Sequence, residues 1–70
     1  MTMNDLEKLR VLLPHWIEHN EEHAAEFREW ATRAGEAEED MVAASQQLEF
    51  ANDFLRAAIE KLEDPLEPHQ

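Results

Sequence analysis

The chain has 70 residues and a mass of 8.2 kDa, with 17 acidic residues against 6 basic ones, a formal charge of −11 with neutral histidines, and no cysteine. The missing cysteine excludes disulfides and thiolate metal centres, and with them zinc ribbons and thiol redox chemistry. The charge opposes phosphate backbones and anionic lipid, so neither nucleic acid nor a membrane is expected as a partner. No apolar run approaches the roughly 20 residues that span a bilayer. The opening MTMNDLEKLR lacks the order of a signal peptide, which leaves a soluble, cytoplasmic protein as the expectation.

One glycine, Gly35, stands near the midpoint, and prolines occur only at 14, 65 and 68, among stretches rich in Ala, Leu, Glu, Gln and Arg. The expected fold is all-α: an antiparallel two-helix hairpin over residues 1–64, followed by a flexible tail over 65–70. The first helix should begin near residue 4, because Asn4 with Glu7, or Thr2 with Asp5, has the spacing of a reciprocal N-terminal cap. It runs to about residue 34, and Leu6, Leu9, Leu13, Trp16, Phe27, Trp30 and Ala34 form its apolar stripe. Pro14 removes one backbone hydrogen bond and crowds the carbonyl four residues back. Either a kink there or a short first helix with a longer one starting at Pro14 is expected, and residues 15–34 are one helix in both cases.

Gly35 suits the left-handed position that closes a helix, and EAEED after it supplies carboxylates for the positive end of the next, which sets a turn at about 35–38. The second helix, about 39–63, carries Met41, Ala44, Leu48, Ala51, Leu55, Ala58 and Leu62 at heptad-like spacing. Phe50, Phe54 and Ile59 widen its apolar face, and Asp64-Pro65 stops it. Such a hairpin buries one stripe of each helix and leaves the far sides of Trp16, Phe27, Trp30, Phe50 and Phe54 wet, which is unusual for a monomer. Two hairpins packed as a four-helix bundle cover them, so a homodimer is expected, with a higher homo-oligomer or a protein partner as the other solutions.

Three of the four histidines, His15, His19 and His23, recur at every fourth position in PHWIEHNEEH. At about 100° per residue the stripe passes through Leu13, Trp16, Asn20, Ala24, Phe27 and Ala31. His23 falls inside its edge, His19 on the border, and His15 toward solvent. Residues four apart stand about 5–6 Å between Cβ atoms, so His15 with His19, or His19 with His23, matches a bidentate pair for a transition ion. Glu22 and Glu26 lie beside the row as further donors. Nitrogen and oxygen ligands without sulfur point to a divalent ion such as nickel, zinc, cobalt or copper.

The pattern departs from the zinc-protease motif, because Trp16 follows His15 where that motif has Glu, and from di-iron bundles, because Asn20 stands where they have Glu. A second reading makes Asn20 and His23 polar core members that fix the register, with His15 and His19 merely solvated. On that reading Asn20→Leu raises stability while disturbing the oligomer. A third makes the row a pH-responsive interface. Ser45 and Thr32 are the only hydroxyls beyond the N-terminus, neither lies near a histidine in sequence, and EAEED lacks the spaced ligands and glycine of a calcium loop. The chain is therefore read as a non-enzymatic assembly or adaptor module that takes a divalent metal on the histidine row. A purely structural dimerisation domain is the alternative, and a metal-dependent enzyme the third reading.

The stretch LLPHWIEHNEEHAAEFREWA, residues 12–31, resembles the signature of a family of small prokaryotic helical domains. Members occur alone or appended to short proteins similar to the nickel-binding accessory protein of carbon monoxide dehydrogenase maturation. The resemblance implies a metal-related setting, carried here by His15, Glu18, His19, Glu22 and His23, and it brings no established reaction with it.

Overall fold

In the computed structural model, which describes residues 4–63, the chain is a hairpin of two long helices, α1 (Asp5–Ala31) and α2 (Glu38–Glu63). Residues 32–34 and one 3-10 turn, Gly35–Ala37, join them. The described residues contain no strand, and the two helices pack against each other, as the all-α expectation requires. The tail over 65–70 with His69, the stop at Asp64-Pro65 and the alternative cap at Thr2 lie outside the described residues.

The helix ends follow from local chemistry. Asn4 Oδ1 accepts from the Glu7 backbone N–H at 2.8 Å, and the Asn4 N–H donates to Glu7 Oε1 at 3.2 Å, which satisfies two of the donors a helix start leaves orphaned. α1 passes through Pro14 without interruption. Pro14 is exposed, so water can serve the carbonyl that the missing donor leaves behind. The α-helix ends three residues before the position the glycine suggests, because Arg33 and Ala34 donate to Trp30 and Ala31 in tighter i→i+3 bonds of 2.9 and 3.1 Å. Gly35 then takes φ +61, the left-handed conformation that reverses the chain. At the open end, Arg10 Nε donates to the Leu62 carbonyl at 3.0 Å, so a cation of α1 caps the negative end of α2.

The seam follows a strict alternation of four- and three-residue steps: Leu13, Ile17, Asn20, Ala24, Phe27 and Ala31 on α1, and Met41, Ser45, Leu48, Asn52, Leu55 and Ile59 on α2. All twelve are buried or half-buried, in the 3.5-residue repeat of a coiled coil. Asn20 Nδ2 donates to Asn52 Oδ1 at 3.0 Å, and Asn52 Nδ2 donates to the Ile17 carbonyl at 3.2 Å. Continuing the antiparallel register from that pair sets Leu13 across from Ile59, Ile17 from Leu55, Ala24 from Leu48, Phe27 from Ser45, and Ala31 from Met41. Toward the turn each layer therefore has one small member, which lets the helices approach there.

This seam keeps Leu13, Asn20, Ala24, Phe27, Ala31, Met41, Leu48, Leu55 and Ile59 of the expected stripes and is turned from them by only part of a residue step. Ile17 is buried where Trp16 was expected, and Ser45 and Asn52 are buried where Ala44 and Ala51 were. The polar pair decides the rotation: at 1 % exposure Asn52 is tolerable in the interior only because both ends of its amide are bonded. Ser45 meets the same demand by donating to the Val42 carbonyl at 2.7 Å. Asn20 stands in the seam as a half-buried polar residue bonded across the hairpin to Asn52. The companion role for His23 does not hold within the hairpin, because its side chain is half exposed.

Candidate interaction surface and histidine row

The described residues form a single layer of two packed helices, so both broad faces of the hairpin lie open. They differ in chemistry. On one, Arg28 pairs with Glu49 and Arg56 Nη2 with Glu21 Oε2 at 2.6 Å, two bridges across the helices. Their side chains are about half exposed, so each contributes roughly 0.2–1 kcal/mol and the face stays hydrated.

The other face carries the heptad neighbours on the opposite flank of the seam: Trp16, His23 and Trp30 on α1, and Ala44, Ala51 and Ala58 on α2. Leu9, Leu12, His19 and Phe27 extend it on one side, and Gln47 and Phe54 on the other. None of these twelve positions is acidic or basic, and the carboxylates of Glu26 and Asp40, which precede Phe27 and Met41 on the same flank, stand at the margin of the face. Trp16 is 42 % exposed, Trp30 57 % and Phe54 77 %. At about 150–250 Å² per aromatic side chain, these three alone leave roughly 300–400 Å² of ring surface wet. That equals the largest apolar patch of a typical monomer and approaches half of what each partner contributes to a standard protein interface, about 800 Å². Arg33 stacks 4.9 Å from the Trp30 ring centroid and shields one side of it. Phe50, also expected on the apolar face, lies around the outer side of α2, away from both seam and face.

The histidine row runs from the solvent side of α1 toward this face. His15 and His19 are exposed, with ring centroids 5.1 Å apart, and His19 and His23 are 5.5 Å apart at a steep angle. His23 stacks on Phe27 at 6.2 Å, and its Nδ1 lies 3.3 Å from Glu26 Oε1. The carboxylate thereby fixes the ring's orientation at the rim of the aromatic face. Glu22 is exposed beside the row, and Glu18 lies on the same outer side. Among the described residues no three His, Asp or Glu side chains converge as a ready metal centre. The row brings its histidines together in pairs.

Thr32 Oγ1 donates to the Glu29 carbonyl at 2.8 Å, as Ser45 does to Val42, so both hydroxyls serve their own helices. Asn52, Ser45 and Ile17 are the residues that sequence reasoning passed over. The signal for them was the four-three alternation itself, which a search for the largest apolar side chains overlooks in favour of Trp16 and the alanines.

Fold and surface together define a class: a small antiparallel coiled-coil hairpin, joined at its seam by an asparagine pair with one buried and one half-buried member, with one charged and one aromatic face. Within that class, the chain belongs to the family described as a domain of unknown function, DUF8180, which matches residues 9–67. No curated protein and no solved structure matches it. No helix among the described residues is long and apolar enough to cross a membrane.

Proposed function

We propose that the chain is a non-enzymatic assembly module that pairs with a second copy of itself through the uncharged aromatic face, forming an antiparallel four-helix bundle. The observation that carries this reading is the self-complementarity of that face. A two-fold axis parallel to the helices and lying in the face sets α1 of one copy over α2 of the other, antiparallel to it. In the register fixed by Asn20 and Asn52, such an axis brings Trp16 of one copy within two residues, about 3 Å of rise, of Ala58 of the other, and His23 likewise of Ala51 and Trp30 of Ala44. Each large ring meets a small residue, the arrangement that interdigitating layers need. The same axis lays the exposed Phe54 beside His19 of the other copy. Isologous pairing of this kind closes on itself and stops at two.

Charge supports the same face. Two chains of charge −11 repel, and the face whose carboxylates, Glu26 and Asp40, stand only at its margin is where they approach at least cost. The resemblance to domains found beside nickel-binding accessory proteins extends the reading to a metal-related setting, in which the module joins copies of whatever it is attached to.

Both tryptophans of the chain lie on the proposed interface, so their fluorescence reports it directly. With increasing concentration the emission should move to shorter wavelength as Trp16 and Trp30 leave water. Ala51→Glu, which puts a carboxylate at the centre of the face without touching the seam, should hold the emission at its dilute value with helicity unchanged. Identical concentration dependence in Ala51→Glu and the parent chain overturns the reading.

A further inference from the structure

We propose that His15 and His19 form a two-ligand site for a divalent late first-row transition ion on the outer side of α1, with His19 at the margin of the pairing face. Geometry and engagement together select this pair. Two imidazoles on one ion with metal–nitrogen bonds of about 2.0–2.1 Å, at ligand angles between about 90° and 109°, have ring centroids roughly 4.5–5.2 Å apart. His15 and His19, at 5.1 Å, lie within that range and His19 and His23, at 5.5 Å, a small side-chain rotation from it, so the engagement of His23 decides between the pairs.

His23 is bonded to Glu26 and stacked on Phe27, and it belongs to the row of rings that faces the second copy. No hydrogen bond or ion pair among the described residues occupies the ring nitrogens of His15 or His19, and both rings are exposed. Helical packing behind them fixes the four-residue spacing before any ion arrives, which lowers the ordering cost of chelation. Glu18 and Glu22 flank the pair on the exposed side of the helix, and the net charge of −11 attracts a dication to it. With two nitrogen donors from the chain, water completes the coordination. The site therefore follows the general order of imidazole affinity, with copper(II) above nickel and nickel above cobalt.

The site divides the histidine row between two tasks: His15 and His19 hold the ion, and His23 packs. Glu26, and Glu22 at its distance from convergence, are not ligands in this arrangement. His15 lies outside the pairing face and His19 at its margin, and the Ala51→Glu chain, which does not pair, should still take up one ion, so the two proposals fail separately.

The test is isothermal titration of the untagged, metal-stripped chain with nickel(II), and with copper(II) in a repeat, on the parent and four variants. One ion per chain is expected. His15→Ala and His19→Ala should each weaken binding by about tenfold or more, at least the loss typical when a metal-supporting group is removed. His23→Ala and Glu26→Gln should bind as the parent does. Loss in His23→Ala with retention in His15→Ala would transfer the site to the other pair and overturn the assignment, as would absence of uptake by the parent chain. Circular dichroism of each variant separates lost ligation from lost helix.

Discussion

Replacing Asn20 with leucine has opposite expected signs depending on whether that residue has a partner in the seam. A lone polar residue in a coiled-coil seam costs stability, and leucine in its place recovers it. Here Asn20 Nδ2 is the donor to Asn52 Oδ1, and Asn52 is 1 % exposed. Removing that donor strands a buried acceptor at a cost of about 1–3 kcal/mol. Asn20 is only half-buried, so the new leucine regains roughly half of the ~1.5–3 kcal/mol that full burial supplies. The net expectation is a loss of about 1 kcal/mol, a fall of roughly 4–8 °C in Tm for a domain of this size.

The double variant Asn20→Leu, Asn52→Leu removes donor and acceptor together and should be as stable as the parent or more so. The two substitutions then couple by about 1–3 kcal/mol. Urea unfolding of all four proteins, followed by circular dichroism at one fixed chain concentration, measures that coupling. Additive effects, or an Asn20→Leu chain more stable than the parent, would refute the asparagine zipper as the element that sets the seam.

Gly35→Ala should destabilise by about 1 kcal/mol, because the left-handed φ of +61 strains any L side chain although a Cβ there meets nothing within 4 Å. Thermal melts check it, and Gly35→Asn should lose less. Asn4→Ala removes both bonds of the capping box and should cost about 0.5–2 kcal/mol, read by urea unfolding. Arg56→Ala, which breaks the exposed bridge to Glu21, should cost no more than about 1 kcal/mol, a loss that shrinks further in concentrated salt.

The helical hairpin was legible in the sequence because its determinants are local: Asn4 and Glu7 at capping distance, a single glycine at the reversal, and apolar residues at helical spacing. The rotation of the seam was not, because it depends on a contact 32 residues apart in the chain. Ala44 and Ala51 look like core and Ser45 and Asn52 do not, until the bonds that satisfy Ser45 and Asn52 are known. The difference turns each stripe by part of a residue step, and it moves Trp16 to the surface. That rotation also divides the surface into a bridged face and an uncharged one. The histidine row was visible as spacing alone, and the engagement of His23 was needed to tell its two pairs apart.

Sedimentation equilibrium of the untagged chain from micromolar to hundreds of micromolar, with Ala51→Glu run beside it, tests the assembly reading most directly. A concentration-dependent mass that levels off at twice the 8.2 kDa of the chain, and stays at 8.2 kDa for the variant, is the predicted result. A parent chain that remains at 8.2 kDa across the range contradicts it, and leaves Trp16, Trp30 and Phe54 to a partner of different sequence.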